Sequence, residues 1–267
     1  MSADFASTPH ITVSNLTMAY GDFMIQEKLH FTVNHGEIFI IMGASGCGKS
    51  TLLKCLIGLK EPKTGSVCFD DQDFWNSNET TQLGMKRKFG TLFQSGALWS
   101  SMTLAENIGL PLRQYTDLND KDIADICTYK LALVGLAGFE AYYPSEISGG
   151  MKKRAGLARA MALDPEILFF DEPSAGLDPI SAKLLDDLIL ELRDSLQTTV
   201  VIVTHELESI FGIGDNSIFL DPVTRTQLTT GNPRELRDFS PLHDVRNFLL
   251  RGTLNSGNSP EANETHE

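Results

Sequence analysis

Short apolar runs alternate along the chain with stretches whose apolar positions recur every three or four residues. That alternation predicts an α/β core built on a largely parallel sheet. Ile11-Thr12-Val13 and His30-Phe31-Thr32-Val33 have strand character, and the turn residues Asn34-His35-Gly36 follow the second run. Glu37 to Met42 is apolar enough for a strand buried on both faces. After a Gly-rich turn, Leu52, Leu53, Leu56 and Leu59 share one face of a helix, which Pro62 and Gly65 end. Ser66 to Phe69 reads as another strand, and the polar stretch Asp70 to Thr81 as a surface loop.

Between Trp99 and Ser148 the β-branched alternation fades. Helical stretches around Leu104–Leu112 and Lys121–Val134 predict a helical insertion at about 99–150. The sheet pattern resumes at Ile167-Leu168-Phe169-Phe170 and again from Thr199 to Val203. Between these runs, Leu184, Leu185, Leu188, Ile189, Leu192 and Leu196 mark one helix face, as a parallel crossover requires. The main unit is therefore expected over 10–240. A short amphipathic segment follows at 241–254, with Leu242, Val245, Phe248 and Leu249 on one side. The tail 255–267 has almost nothing to bury and is expected to be disordered.

Composition narrows the classes. With 267 residues, 42% hydrophobic and 21% charged, the chain is neither mostly disordered nor collagen-like nor a coiled coil. No apolar run approaches the about 18–20 residues of a spanning helix. Met1 to Pro9 lacks the basic and apolar regions of a secretory leader. A net charge of −13 speaks against gripping a nucleic-acid backbone, so no nucleic-acid partner is expected. Cys47, Cys55, Cys68 and Cys127 form no CxxC pair, and the six histidines show no metal-ligand spacing.

Two motifs carry chemistry, the second on the strength of the first, since two acids that end a strand are in isolation as readily solvated caps. Gly43-Ala44-Ser45-Gly46-Cys47-Gly48-Lys49-Ser50 matches the phosphate-binding pattern GxxxxGK[ST] between a buried strand and an amphipathic helix. Its glycines let backbone N–H groups face phosphate oxygens, Lys49 reaches the β- and γ-phosphates, and the Ser50 hydroxyl suits Mg²⁺. Ile167 to Phe170 ends in Asp171-Glu172, which places Asp171 to hold Mg²⁺ through water and Glu172 to polarise an attacking water. Ser148-Gly149-Gly150 opens an Ala-rich helix and is a weaker, second anion-binding candidate. Lys152, Lys153 and Arg154 beside it are either a solvated helix face or a reinforcement of that attraction.

Taken in order, these motifs resemble the nucleotide-binding subunit of ABC (ATP-binding cassette) transporters, over about Ile11 to Pro233. The resemblance implies a P-loop NTPase (RecA-like) core with an antiparallel β part near the N-terminus and an inserted helical subdomain. It implies ATP as substrate and Mg²⁺ as cofactor. Gly43, Ser45, Gly46, Cys47, Gly48, Lys49, Ser50 and Thr51 would bind the phosphates, and Tyr20 would stack on adenine. Gln94 would contact Mg²⁺ and the attacking water, alongside Ser50 and Asp171 at the metal. Glu172 would be the catalytic base and His205 the γ-phosphate sensor. Ser148, Gly149 and Gly150 would meet the nucleotide of a second copy in a head-to-tail dimer, with Asp178 on the crossing loop.

One departure stands out, because Met151 occupies the place where the family commonly has Gln and cannot offer an amide. More narrowly, Phe93 to Thr103, Ser148 to Met151 and Asp171 to Pro179 are similar to ATPases of the Mla and Mce-associated lipid-transport systems. That similarity implies phospholipid transport between bacterial membranes. It places the chain peripherally on the cytoplasmic face of the inner membrane, beneath a multispanning permease, with substrate-binding and accessory subunits as further partners. Leu98, Trp99, Leu110 and Tyr115 are candidates for the permease contact. Competing classes are a small-solute importer ATPase, a soluble non-transport ABC ATPase and a non-hydrolytic nucleotide-binding module. Glu172, Gln94 and His205 together argue against the last.

Overall fold

The structure is a computed structural model that describes residues 8–254; the tail 255–267 lies outside the described residues. Strands β1 (Pro9–Tyr20) and β2 (Phe23–Asn34) form a long antiparallel hairpin, joined by β4 (Thr64–Phe69) and β5 (Gln72–Asp73) in the order β2-β1-β4-β5. The second sheet has six strands in the order β10-β9-β3-β8-β7-β6. Of these, β3 (Ile38–Gly43), β6 (Phe89–Leu92), β7 (Ile167–Asp171), β8 (Thr199–Val203) and β9 (Asn216–Leu220) run parallel, and β10 (Gln227–Gly231) is an antiparallel edge.

The central strands are apolar on both faces because both faces are covered. Along β3, Ile38, Ile40 and Met42 enter one core, and Phe39 and Ile41 the other. Successive strand side chains point to opposite sides, so β7 and β8 divide in the same way. One core lies between the two sheets and holds α1 (Lys49–Leu56) through Leu52, Leu53 and Leu56. The other packs α3 (Leu104–Tyr115), α4 (Asp120–Leu133), α5 (Gly149–Ala160), α6 (Pro179–Leu196) and α7 (Leu207–Ile213) against the opposite face. Each fully buried Ile, Leu or Phe here contributes about 1.5–3 kcal/mol.

Several local expectations change. Helix α1 ends at Leu56, so Leu59 lies beyond it and is exposed, and Leu184 and Leu196 of α6 are exposed rather than part of its buried face. The hairpin strands are 12 residues each, far longer than the Ile11–Val13 and His30–Val33 runs. Register shifts in their pairing, with Asn15 at φ 49° and Lys28 at φ 54°, break the period-two alternation that would have shown their length. The stretch Asp70 to Thr81 is not simply a polar loop. It contains β5 and fully buried Phe74, and α2 (Glu79–Arg87) begins within it under an Asn78 cap. One aromatic among polar residues leaves no periodic signal, yet Phe74 packs edge-on against Phe69 and Trp75.

The amphipathic segment after Ser240 is α9 (His243–Leu254), preceded by α8 (Pro233–Phe239). Val245, Phe248 and Leu249 are buried in the chain's own helical core, and Phe248 packs edge-on against Phe219 of β9. Leu242 stays at the surface.

At the opposite end of the large sheet, His10 is buried at the start of β1. Its Nδ1 lies 2.7 Å from Thr199 Oγ1, and its ring stacks on His35 at 3.7 Å. Burial pushes its pKa down to about 4, and His35 adds to that fall while Asp70 and Glu166 oppose it. The folded state thus prefers the neutral ring. The stability gained is fully present above the unfolded value of about 6.5 and is lost as pH falls towards about 4, on the order of 3 kcal/mol. Urea midpoints should therefore drop more steeply from pH 7 to pH 4 in the native chain than in His10→Gln. Parallel pH curves for the two would refute the assignment to His10.

Candidate nucleotide site

The turn from Gly43 to Ser50 sits where β3 meets α1, and its backbone allows little substitution. Gly43 has φ 145°, and a Cβ there would stand 2.4 Å from Leu220 O. Gly48 has φ 102°, and its Cβ would stand 2.6 Å from Ile25 Cγ2. Gly48 is also the N-cap of α1 and brings no capping side chain. The first-turn N–H groups of α1 are thereby left for an anion, at the positive end of the helix.

Lys49 is nearly buried, and its Nζ donates to Gly43 O at 2.9 Å and to Ala44 O at 3.2 Å. Around this turn opens a cavity of about 700 Å³ whose walls include Gly43, Ser45, Gly46, Gly48, Lys49, Ser50 and Thr51 together with Gln94, Glu172 and His205. Cys47 behaves differently from its neighbours. Its thiol is buried in the core between the sheets, where burial pushes its pKa up and Lys49 partly offsets the rise. Only its backbone can face a phosphate.

The metal candidates are adjacent. Ser50 Oγ donates to Asp171 Oδ1 at 3.0 Å, and Gln94 shares the cavity wall with Ser50. A hydroxyl, a carboxylate and an amide oxygen form a hard donor set that fits Mg²⁺.

Glu172 follows β7 in the left-handed region at φ 49°, a conformation that costs a non-glycine residue about 1–2 kcal/mol. Its N–H donates to Val203 O at 2.8 Å, which ties the turn to the end of β8. Its carboxylate is 14% exposed, and His205 Nδ1 lies 2.9 Å from Oε1 and 3.0 Å from Oε2. Thus Lys49, Glu172 and His205, from three separate strand ends, open on one space.

Other candidates lie elsewhere. Tyr20, at the hairpin tip, is half exposed with Lys60 Nζ 4.0 Å above its ring, outside the cavity walls. Ser148 caps α5 by accepting from Met151 N at 3.2 Å, and with Gly150 it lines a separate small pocket beside Ser181. Gly149 is exposed next to them. Met151 packs partly buried against the helical core, a place an apolar side chain suits better than an amide. Asp178 caps α6, accepting from Ser181 N at 3.0 Å and Ser181 Oγ at 2.6 Å, and these bonds hold its pKa below the usual carboxylate range.

Five contributors carry no motif in the sequence. Gln26 is fully buried on β2, and its Nε2 donates to Cys47 O at 2.7 Å and Asp221 O at 2.9 Å, bracing the phosphate turn from beneath. A lone Gln in a strand carries no motif. Ile25, Leu207, Phe248 and Arg251 complete the cavity walls from β2, α7 and α9, elements remote in sequence from the turn.

The comparison with known proteins decides the family. The model of the ABC transporter family matches residues 26–175. The chain belongs to the ABC transporter family. It is 42% identical over 239 residues to the probable ribonucleotide transport ATP-binding protein mkl of Mycobacterium tuberculosis (strain ATCC 25618 / H37Rv), across 90% of its own length. It spans 66% of that relative. It is 37% identical to the intermembrane phospholipid transport system ATP-binding protein MlaF of Escherichia coli K12, across 90% of this ABC-family chain and 88% of MlaF. Among solved structures, an ATP-binding cassette in a dimeric, post-hydrolysis state with ADP and Pi superposes with a TM-score of 0.75. That structure is 27% identical, over 83% of this chain and 98% of its own. The fold is accordingly the ABC ATPase form of the P-loop NTPase.

The crowding at Gly48 yields a direct test. Gly48→Ala should weaken binding of a fluorescent ATP analogue about tenfold or more, since the turn must shift to admit the methyl group. Unchanged affinity in a titration of the purified variant would show that the turn is not held as described.

Proposed function

We propose that this chain is the ATP-hydrolysing subunit of a membrane ABC transporter that moves phospholipid between the inner and outer membranes of a bacterium. The observation that carries the hydrolytic part is the convergence of Lys49, Glu172 and His205 on one cavity at the carboxyl edge of the parallel sheet. Lys49 and the N–H groups of the Gly43–Thr51 turn hold the triphosphate. Glu172 accepts a proton from water as the water oxygen bonds to the γ-phosphorus. The bond from that phosphorus to the β–γ bridging oxygen breaks, leaving ADP and phosphate. His205, bonded to the Glu172 carboxylate, would orient it and sense the γ-phosphate. Ser50, Asp171 and Gln94 would hold Mg²⁺, which supplies charge neutralisation on the phosphates when bound. Tyr20, at the hairpin tip, would stack on the adenine ring in this reading, with Lys60 moving off its face.

Ser148, Gly149 and Gly150 open on a different surface from the cavity, which is what a contact to nucleotide on a second, head-to-tail copy requires. Asp178, at the start of α6 beside Ser181, lies on the same surface, suiting a crossing loop. Charge-assisted bonds across such an interface form with triphosphate and weaken once phosphate leaves. For the permease contact, Leu110 and Tyr115 line a groove of about 310 Å³ with Lys86, Arg87 and Arg159, and Trp99 is 58% exposed nearby in sequence. Among the described residues no helix is long and apolar enough to cross a membrane; the path is assigned in this proposal to a multispanning permease partner.

Phospholipid as cargo is supported by the identity to MlaF over most of both chains. The name of the mycobacterial relative favours a second reading, a transporter of small solutes such as ribonucleotides. Glu172→Gln should keep ATP binding and cut turnover by roughly 10²-fold or more; normal steady-state hydrolysis would remove Glu172 from its role. Isolation of the intact membrane assembly should bring down a multispanning permease carrying phospholipid, and a nucleotide or other small solute in its place would favour the second reading.

A further inference from the structure

Helix α5 begins at the exposed Ser148–Gly150 surface and runs inward beneath the loop that bears Gln94. Of the basic trio Lys152-Lys153-Arg154, Lys153 alone is buried, at 6% exposure. Its ammonium donates to the backbone carbonyl of Gln94 and, at 3.3 Å, to that of Glu172. Farther along the same helix, Arg159 donates to Ala97 O at 2.7 Å and Gly96 O at 3.2 Å. The helix therefore grips residues 94–97 with two cations while one of them also reaches the Glu172 turn.

Burial of an ammonium is costly unless its protons are bonded, and here they meet main-chain oxygens. Burial pushes the Lys153 pKa down, and the nearby Glu172 and Asp171 carboxylates draw it back up. The Glu172 turn has other support, because Glu172 O accepts from Ala175 N at 3.2 Å and Glu172 N donates to Val203 O. Replacing the lysine would thus loosen the turn rather than dismantle it. Direction is what is at stake: at φ 49° the setting of the Glu172 peptide decides where the carboxylate aims.

We infer that Lys153 is a positioning residue for ATP hydrolysis, tying the backbones of Gln94 and Glu172 to the helix whose exposed end meets the second nucleotide. The inference rests on the roles proposed above for Glu172 and Gln94. Movement of α5 when Ser148–Gly150 engage a nucleotide would be delivered through one ammonium to the two groups that line up water in the other site.

The test compares Lys153→Met, which keeps the length but loses the donors, with Lys153→Arg, which keeps donors, in the full-length chain. Steady-state MgATP hydrolysis, mant-ATP affinity and thermal melting are measured, with Glu172→Gln alongside. Lys153→Met should lower kcat about 10- to 100-fold, the scale of a small misplacement of reacting groups. KM and mant-ATP affinity should stay within about twofold, and Lys153→Arg should recover most of the rate. Wild-type kcat in Lys153→Met, an arginine variant no faster than the methionine one, or loss of mant-ATP binding together with rate would overturn the inference. Should Lys153→Met not fold, Lys153→Gln takes its place, and a wild-type kcat there overturns it equally. A slow Glu172→Gln beside a fast Lys153→Met defeats this inference alone, whereas a fast Glu172→Gln defeats the underlying assignment of the base.

Discussion

Everything at the site depends on the parallel register of β3, β8 and β7. Ile41 pairs with Val203, and Val203 with Asp171, so three strands end side by side at one sheet edge. The phosphate turn leaves the first, His205 follows the second, and Asp171-Glu172 closes the third. A slip of one residue in any of them would turn its core side chains to the wrong layer and carry its functional residue away from the others. The apolar runs of those strands thus do two jobs, filling both cores and aligning the chemistry.

Electrostatically the site is a local exception within an acidic chain. The net charge of −13 describes the whole surface. At the sheet edge, Lys49 and Lys153 are both nearly buried and bonded to main-chain oxygens, and Lys153 lies near the Asp171 and Glu172 carboxylates. Cations held on carbonyls rather than on carboxylates leave Glu172 available to His205 and to water. The same economy appears at Gln26, whose amide braces the phosphate turn without adding charge.

The strained residues follow the same logic. Glu172 takes a left-handed conformation at the end of β7, and Gly43 and Gly48 take positive φ in contact with Leu220 and Ile25. Such backbone persists where surrounding bonds over-determine it. Here β9 packs against the phosphate turn at Gly43, the antiparallel hairpin at Gly48, and β8 holds the Glu172 turn, so the cavity is framed by segments far apart in the chain.

Sequence alone was enough for the alternating α/β order, the phosphate turn, the acidic pair ending β7 and the helices around Leu104 and Lys121, because local pattern and local motif carry that information. It also located Met151 as a departure, though not that the side chain packs against the helical core. It could not show the hairpin strands beyond their apolar ends, because bulges at Asn15 and Lys28 erase the period of two. It could not distinguish Phe74 from a loop residue, or Lys153 from Lys152 and Arg154, since burial of a single side chain leaves no periodic trace. Nor could it bring Ile25, Phe248 and Arg251 to the walls of the phosphate cavity. Those placements are settled by contacts between segments far apart in the chain, and such contacts exist only once the two sheets and the helical layer have closed on each other.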